Sequence, residues 1–292
     1  MANLKEIRGR IASVTSTRQI TSAMKMVAAA KLRKAQTFAT KISPYKNKMA
    51  EMLSLLAETL AEDNDNKYTS KRAVKNILVI AISSNKGLCG AFNSNVLKQA
   101  QQRIDHWRGQ PEVTIRVVAI GKKASEMLVR QKDLQVSSHD ALLDNSDFDA
   151  VATLADSLMD DFAAQRIDRV EIIYNQFKNS LSQVLTCDQW LPVENGKVHV
   201  KGEKSNNDYI FEPSKEEIMR EMIPLTLRST FYRVVLDSLA AEHGARMTAM
   251  QKATDNATEL LKDLRLNYNK ARQAAITNEN IEIVSGSEAL KG

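Results

Sequence analysis

The sequence predicts an α/β domain inserted between two long helices that form a two-stranded coiled coil. Three observations lead there. The first is a heptad seam that runs almost unbroken through the last third of the chain. The second is a further long helical stretch at the N-terminus. The third is a middle segment in which the hydrophobic period changes from helical to strand-like, with strands and helices alternating.

The C-terminal seam is read in alternating steps of four and three: Ile218, Met222, Leu225, Ser229, Tyr232, Leu236, Leu239, His243, Arg246, Met250, Ala253, Ala257, Leu260, Leu264, Asn267, Ala271, Ala274, Asn278 and Ile281. A seven-residue apolar repeat of this length marks a helix that supercoils against another helix. At 1.5 Å per residue, a helix of roughly 60 residues extends roughly 90 Å. Glu212-Pro213-Ser214 introduces it, with Ser214 at the N-cap and Glu217 at the capping-box position. The first half of the seam, through Met250, is expected to coil against the N-terminal helix. The second half is expected to outrun that helix, leaving a tip whose apolar surface needs some other cover.

The N-terminal helix is expected from Leu4 to about Leu60. Its seam reads Leu4, Ile7, Ile11, Val14, then Ile20, Met24, Val27, then Phe38, Ile42, Tyr45, Met49, Met52 and Leu56. Pro44 removes one backbone donor and is expected to bend the helix. Ala23, Ala28, Ala29, Ala30 and Ala35 are small enough to let two helix axes approach closely. The charge is one-sided: through Lys48 eleven bases (Lys5, Arg8, Arg10, Arg18, Lys25, Lys31, Arg33, Lys34, Lys41, Lys46, Lys48) face one acid, Glu6. Solvated helix faces usually mix signs, so this stretch reads as a contact surface for an acidic partner. It matches no nucleic-acid motif, because aromatics are not interleaved and the bases share the helix with the seam.

Residues 61–76 are polar and turn-rich and read as a linker. Residues 77–211 read as a doubly wound domain with a parallel sheet. Its strands are expected at Ile77–Ser83, Val113–Ile120 and Val170–Tyr174, and its helices at Phe92–Trp107, Lys122–Arg130 and Ser146–Gln165. Val184–Leu191 and Tyr209–Phe211 add strand pieces around a polar loop at 195–208. The C-terminal helical segment is 212–292.

Composition narrows the function. The chain has 292 residues and a net charge of +6, from 41 basic and 35 acidic side chains. No apolar run approaches the length of a membrane span, and the N-terminus lacks a signal-peptide pattern, so a soluble or peripheral protein is expected. Cys89 and Cys187 read as free thiols, and the four histidines have no metal-ligand spacing. One loop could hold an anion: Asn85-Lys86-Gly87-Leu88-Cys89-Gly90, between a strand and a helix. It lacks the glycine pattern of a dinucleotide fingerprint and the lysine of a P-loop, so its plainer reading is a tight turn. His243 and Arg246 are polar groups on the seam, fit either to fix register or to meet a partner. From these features alone, a gripped shaft or adaptor without catalysis stands beside a nucleotide-binding α/β enzyme with coiled-coil oligomerisation arms and a nucleic-acid-binding coiled coil. The lack of any dense catalytic constellation favours the first.

Three stretches resemble the γ subunit of rotary proton-translocating ATP synthase of the bacterial type. They are Ile7-Arg8-Gly9-Arg10-Ile11 running into Ile20-Thr21-Ser22-Ala23-Met24-Lys25-Met26-Val27, then Gly87-Leu88-Cys89-Gly90 with Asn93, and finally Ala249-Met250-Gln251-Lys252-Ala253-Thr254-Asp255-Asn256 with Asn269-Lys270-Ala271-Arg272-Gln273-Ala274 and Glu282-Ile283-Val284-Ser285-Gly286. Order, spacing and length match over essentially the whole chain. The resemblance implies an antiparallel coiled coil with a Rossmann-like domain at its base, and no catalytic site, cofactor or metal in this chain. It implies a shaft turned by proton flow through a membrane c-ring inside a ring of α and β subunits, regulated with ε, peripheral on the cytoplasmic face of the inner membrane. It assigns β-subunit contacts to Met24, Lys25, Lys31, Arg33, Lys34, Arg272 and Gln273, and an acid-to-arginine rotor network to Glu242 and Arg246. It places Ile276, Ile281, Ile283 and Val284 in an apolar bearing, and Tyr209 in the foot that meets the c-ring and ε. Cys89 and Cys187 do not match the two-cysteine insertion of the chloroplast form.

Overall fold

In a computed structural model of the chain, the described residues are 4–55, 67–70, 72–110, 112–131, 133–144, 147–180, 182–193, 212 and 214–289. In chain order the elements are α1 (Leu4–Leu55), β1 (Asn76–Ile82), α2 (Phe92–Arg108), β2 (Thr114–Ile120), α3 (Lys122–Leu128), β3 (Gln135–Ser138), a 3-10 turn (Asp140–Leu143), α4 (Phe148–Ala163), β4 (Arg169–Phe177), β5 (Gln183–Leu191) and α5 (Lys215–Ala289). The chain falls into two compact units. One comprises Met1–Ala28 with Met247–Gly292, the other Ala29–Arg246. Helix α1 runs through Pro44 without ending, and α5 runs through Pro224. Among the described residues no helix is long and apolar enough to cross a membrane.

The Ala29–Arg246 unit is built on a sheet of order β3-β2-β1-β4-β5. Strands β1, β2, β3 and β4 pair in parallel, as their alternation with helices predicts. Strand β5 departs from the all-parallel expectation: it runs antiparallel to β4, with Ile173 opposite Cys187. The cause is the short connection, residues 178–182, since a parallel return needs a crossover of a dozen residues or more. The sheet grows outward from β1 in both directions. Crossovers of one hand therefore place α2 and α3 on one face and α4 on the other.

Two cores follow from that winding. Ile77, Val79 and Ala81 of β1 point to the face covered by Val96, Ala100 and Ile104 of α2 and by Ala124 and Leu128 of α3. Leu78, Ile80 and Ile82 point to the face covered by Val151, Leu158 and Phe162 of α4. Residues on both faces of β1 are buried, which is why that strand is a continuous apolar run. The second face also receives the start of α5: Met219, Met222, Ile223, Leu227, Phe231, Val235, Leu236 and Leu239 belong to its core, with Met49 of α1. This corrects the expectation that the first half of the C-terminal helix is ordinary two-stranded coil. Phe231 and Val235, off the predicted seam, are its most deeply buried side chains there. A helix packed on several sides is apolar beyond one stripe, and the heptad positions are a subset of that wider surface.

At the start of α5, the Glu217 amide donates to Ser214 Oγ at 3.2 Å, so Ser214 caps the helix as its sequence predicts. The polar loop and strand pieces expected at 195–211 lie outside the described residues.

In the other unit the two helix segments run antiparallel. Arg8 Nη2 donates to the Tyr268 hydroxyl at 2.9 Å, and Thr21 Oγ1 and Thr254 Oγ1 share a hydrogen bond of 2.8 Å. Moving up one helix thus moves down the other. The seam keeps the predicted positions Ile7, Ile11, Val14 and Met24 on α1 and Met250, Ala253, Ala257, Leu264 and Ala271 on α5, all buried or half-buried, and departs from the prediction between them. On α1 it passes through Ile7, Ile11, Val14, Arg18, Thr21, Lys25 and Ala28, all buried or half-buried, whereas Ile20 and Val27 face outward. On α5, Leu261 and Tyr268 turn inward, while Leu260 and Asn267 are exposed. The heptad continued through polar residues on α1, and apolarity could not choose between adjacent leucines on α5.

Candidate functional site

In a doubly wound sheet the ligand crevice lies beyond the carboxyl ends of the strands, where the strand order reverses. Here that point is between β1 and β4. Ser83 and Ser84 follow β1, and the Asn85–Gly90 loop leads into α2. The loop is fixed from within. Ser84 N–H donates to Asn93 Oδ1 at 2.9 Å, Ser84 Oγ to the Lys86 carbonyl at 2.7 Å, and Asn93 Nδ2 to Cys89 Sγ at 3.2 Å. Asn175 of β4 donates to the Phe92 carbonyl at 3.2 Å, closing the crevice from the other side.

The crevice itself is filled by α5. Ala241, fully buried, packs on Cys89 and Phe92, with Phe177 and Ala245 beside them. Gly244 lies against the β4–β5 turn: a Cβ there would stand 3.4 Å from Phe177 Cε2 and 3.5 Å from Gln183 Nε2. Two residues on, Arg246 donates from Nη1 to the Gly87 carbonyl and from Nη2 to the Lys86 carbonyl at 3.0 Å. The same Nη2 reaches Glu242 Oε1 at 2.6 Å, and both side chains of this ion pair are almost wholly buried. The loop thus turns carbonyl oxygens towards an internal cation. An anion cradle needs the opposite polarity, with N–H groups turned towards the ligand. The plain reading of the loop, a tight turn, is the one its geometry supports.

Electrostatics around this point are positive. Glu242 is pushed up by burial, opposed by its bond to Arg246 and by the charges of Arg246, Lys31 and Lys86. His243 is pushed down to about 4 by burial and by Lys31 and Arg246, so it is neutral at neutral pH. Among the described residues its buried Nδ1 has no hydrogen-bond partner. Both cysteines are free thiols, Cys89 buried and Cys187 half-buried.

The residues singled out in the sequence fall in several places. Glu242 and Arg246 are brought together as one pair. Met24 and Lys25 are half-buried on α1, and Lys31, Arg33 and Lys34 are exposed, with Lys34 Nζ 5.9 Å from the centre of the Phe38 ring. Arg272 and Gln273 are exposed on α5. From Arg272 to Ala289 every residue is exposed, and Ile276, Ile281, Ile283 and Val284 are 50 to 63% accessible. Tyr209 lies outside the described residues. The contact of Arg246 with the Lys86–Gly87 carbonyls was not foreseen. The residues stand 159 and 160 positions apart, and no local pattern joins a helical arginine to a distant loop.

An α/β unit whose ligand crevice is occupied by its own helix has the form of a structural subunit. The family model described as ATP synthase matches residues 3–290. The ATP synthase gamma chain of Flavobacterium johnsoniae is 53% identical over 292 residues, the full length of both chains, and that of Bacteroides fragilis is 43% identical over 99% of this chain and all of its own. Among solved structures, a chain from the central stalk and c-ring of the Tetrahymena thermophila mitochondrial ATP synthase matches with a TM-score of 0.54 and 28% identity, over 80% of this chain and 99% of its own. A chain from the Euglena gracilis mitochondrial ATP synthase has the same fold, with a TM-score of 0.66 at 21% identity over 98% of this chain and 94% of its own. The chain belongs to the ATP synthase gamma-chain family, the non-catalytic gamma subunit of that complex.

Proposed function

We propose that this chain is the central rotor shaft of a bacterial ATP synthase. It turns inside a ring of α and β subunits, couples proton flow through the membrane c-ring to ATP synthesis in β, and takes part with ε in regulating ATP hydrolysis. It is held peripherally at the cytoplasmic face of the inner membrane through those partners. The observation that carries this reading is the end of α5. A continuous helix that leaves Ile276, Ile281, Ile283 and Val284 open to water needs a cover, and a surrounding protein sleeve supplies one. In this reading those four residues run in the bearing, and Arg272 and Gln273 meet a β loop. Met24 with Lys25, Lys31, Arg33 and Lys34 faces acidic β surface, and Tyr209 belongs to the foot at the c-ring and ε. The working segments are 1–60 and 212–292 for the shaft, 77–211 for the Rossmann-like base and 61–76 as the linker between them.

The test is charge reversal of Lys25, Lys31, Arg33 and Lys34 together, in the complete complex, membrane ring included, reconstituted in vesicles. Proton-driven ATP synthesis should fall several-fold relative to ATP hydrolysis. Unchanged coupling with four reversed charges overturns the electrostatic part of the reading. Failure of the wild-type chain to co-purify with α and β overturns the whole.

A further inference from the structure

The loop that α5 reaches is strained. Leu88 has φ of 63°, the left-handed region, and Gly90 has φ of 62°. Glycine adopts that conformation freely, whereas a leucine meets its own carbonyl there. Leu88 is also 66% accessible, the most exposed large apolar side chain among the described residues. Beneath it, Cys89 is 1% accessible. A strained residue with no burial of its own persists only where its surroundings over-determine it.

Nearest to Leu88 among those surroundings are the contacts of Arg246. Its guanidinium forks onto two successive carbonyls, Lys86 and Gly87, immediately before Leu88. Glu242, one turn back on the same helix, fixes the guanidinium from behind. The side chains of Arg246 and Glu242 are 11% and 10% accessible, so water competes little for these charge-assisted bonds. Ser84 Oγ adds a second donor to the Lys86 carbonyl. The loop is also held on either side of Leu88, where Asn85 Nδ2 donates to the Asp140 carbonyl at 3.1 Å and Asn93 Nδ2 to Cys89 Sγ at 3.2 Å, but neither bond touches Gly87 or Leu88.

We propose that Arg246, oriented by Glu242, is a positioning residue that latches the loop between β1 and α2, holding Leu88 outward in its left-handed conformation and Cys89 covered. A planar five-donor fork suits this task and a lysine ammonium does not, because one point charge cannot span two carbonyls and a carboxylate at once. Release of the latch lets Leu88 relax and opens the loop locally, which uncovers the Cys89 thiol while the sheet beneath stays folded.

The experiment uses the full chain carrying Cys187→Ser, so that Cys89 is the one thiol, and follows its labelling by a maleimide under native conditions. Arg246→Gln should speed labelling at least tenfold, with a rate that barely depends on dilute urea, as expected for local opening. Arg246→Lys should fall between wild type and Arg246→Gln. If Arg246→Gln does not fold because Glu242 is left buried without a counter-charge, the double variant Glu242→Gln, Arg246→Met removes both charges and should show the same acceleration. The latch is overturned by labelling at the wild-type rate in these variants, by full rescue with lysine, or by acceleration that tracks global unfolding in urea.

Discussion

Glu171 offers the sharpest stability prediction. It sits on β4 with its carboxylate almost fully buried and accepts four hydrogen bonds. Arg103 donates from Nε at 2.8 Å and from Nη2 at 2.6 Å, Arg169 Nε at 2.9 Å, and Trp107 Nε1 at 3.4 Å. The two guanidiniums also lie 5.8 and 5.5 Å from the Trp107 ring centre. Replacing Glu171 with Gln keeps the volume but presents an amide N–H₂ to groups that are all donors, and leaves two arginines without a counter-charge. Breaking a buried pair from one side costs about 3–5 kcal/mol. Arg103 and Arg169 keep 26% and 32% of their side-chain surface in water, which places the loss near the lower end, about 3 kcal/mol. Urea unfolding followed by tryptophan fluorescence measures it, because Trp107 and Trp190 are the only tryptophans and both lie in the α/β unit. The pH dependence has a fixed sign. Burial pushes the Glu171 carboxyl up, but the Arg103 bond and charge, with Arg169 and Trp107, outweigh it and hold it below the usual glutamate range. A depressed folded-state pKa contributes stability above the unfolded value and loses it as pH falls through the folded one. The gap between wild type and Glu171→Gln should therefore be full at neutral pH and close in acid. A loss below about 1 kcal/mol at neutral pH, against the 3–5 kcal/mol expected for a broken buried pair, would refute this account, as would a gap that persists in acid.

Two further variants probe α5. Gly244→Ala should stabilise the chain by up to about 1 kcal/mol, since an interior helical glycine costs about that against alanine and the new methyl meets its neighbours no closer than 3.4 Å; thermal melting would show it, and a lower midpoint would mean the β4–β5 turn cannot accept the methyl. Phe231→Ala should cost about 3–5 kcal/mol, because Phe231 is fully buried with its ring 5.1 Å from that of Trp190; a changed Trp190 emission in the folded state should accompany the loss.

The central strands were legible because β1, β2 and β4 are apolar runs between polar turns, and their spacing by helices requires parallel pairing. Strand β3, Gln135–Ser138, was missed: four residues at a sheet edge, mostly exposed, carry no periodic signal. The antiparallel return of β5 could have been read from the short connection after β4. Most of the candidate site was not legible. The pair Glu242–Arg246 has helical spacing, but its attachment to the Lys86 and Gly87 carbonyls joins parts of the chain that only the fold brings together.

By itself the sequence determined two long terminal helices, an inserted α/β domain, a basic first helix and family membership, since each is carried by local period, composition or contiguous motif. The tertiary structure alone decided where the inward face of each helix departs from the simple heptad. Leu260 and Leu261 are equally apolar, yet only Leu261 is buried. It also decided that the first half of α5 completes the core of the sheet and fills its ligand crevice. A run of apolar residues records that a surface must leave water, and burial is non-directional, so it cannot record which partner does the covering.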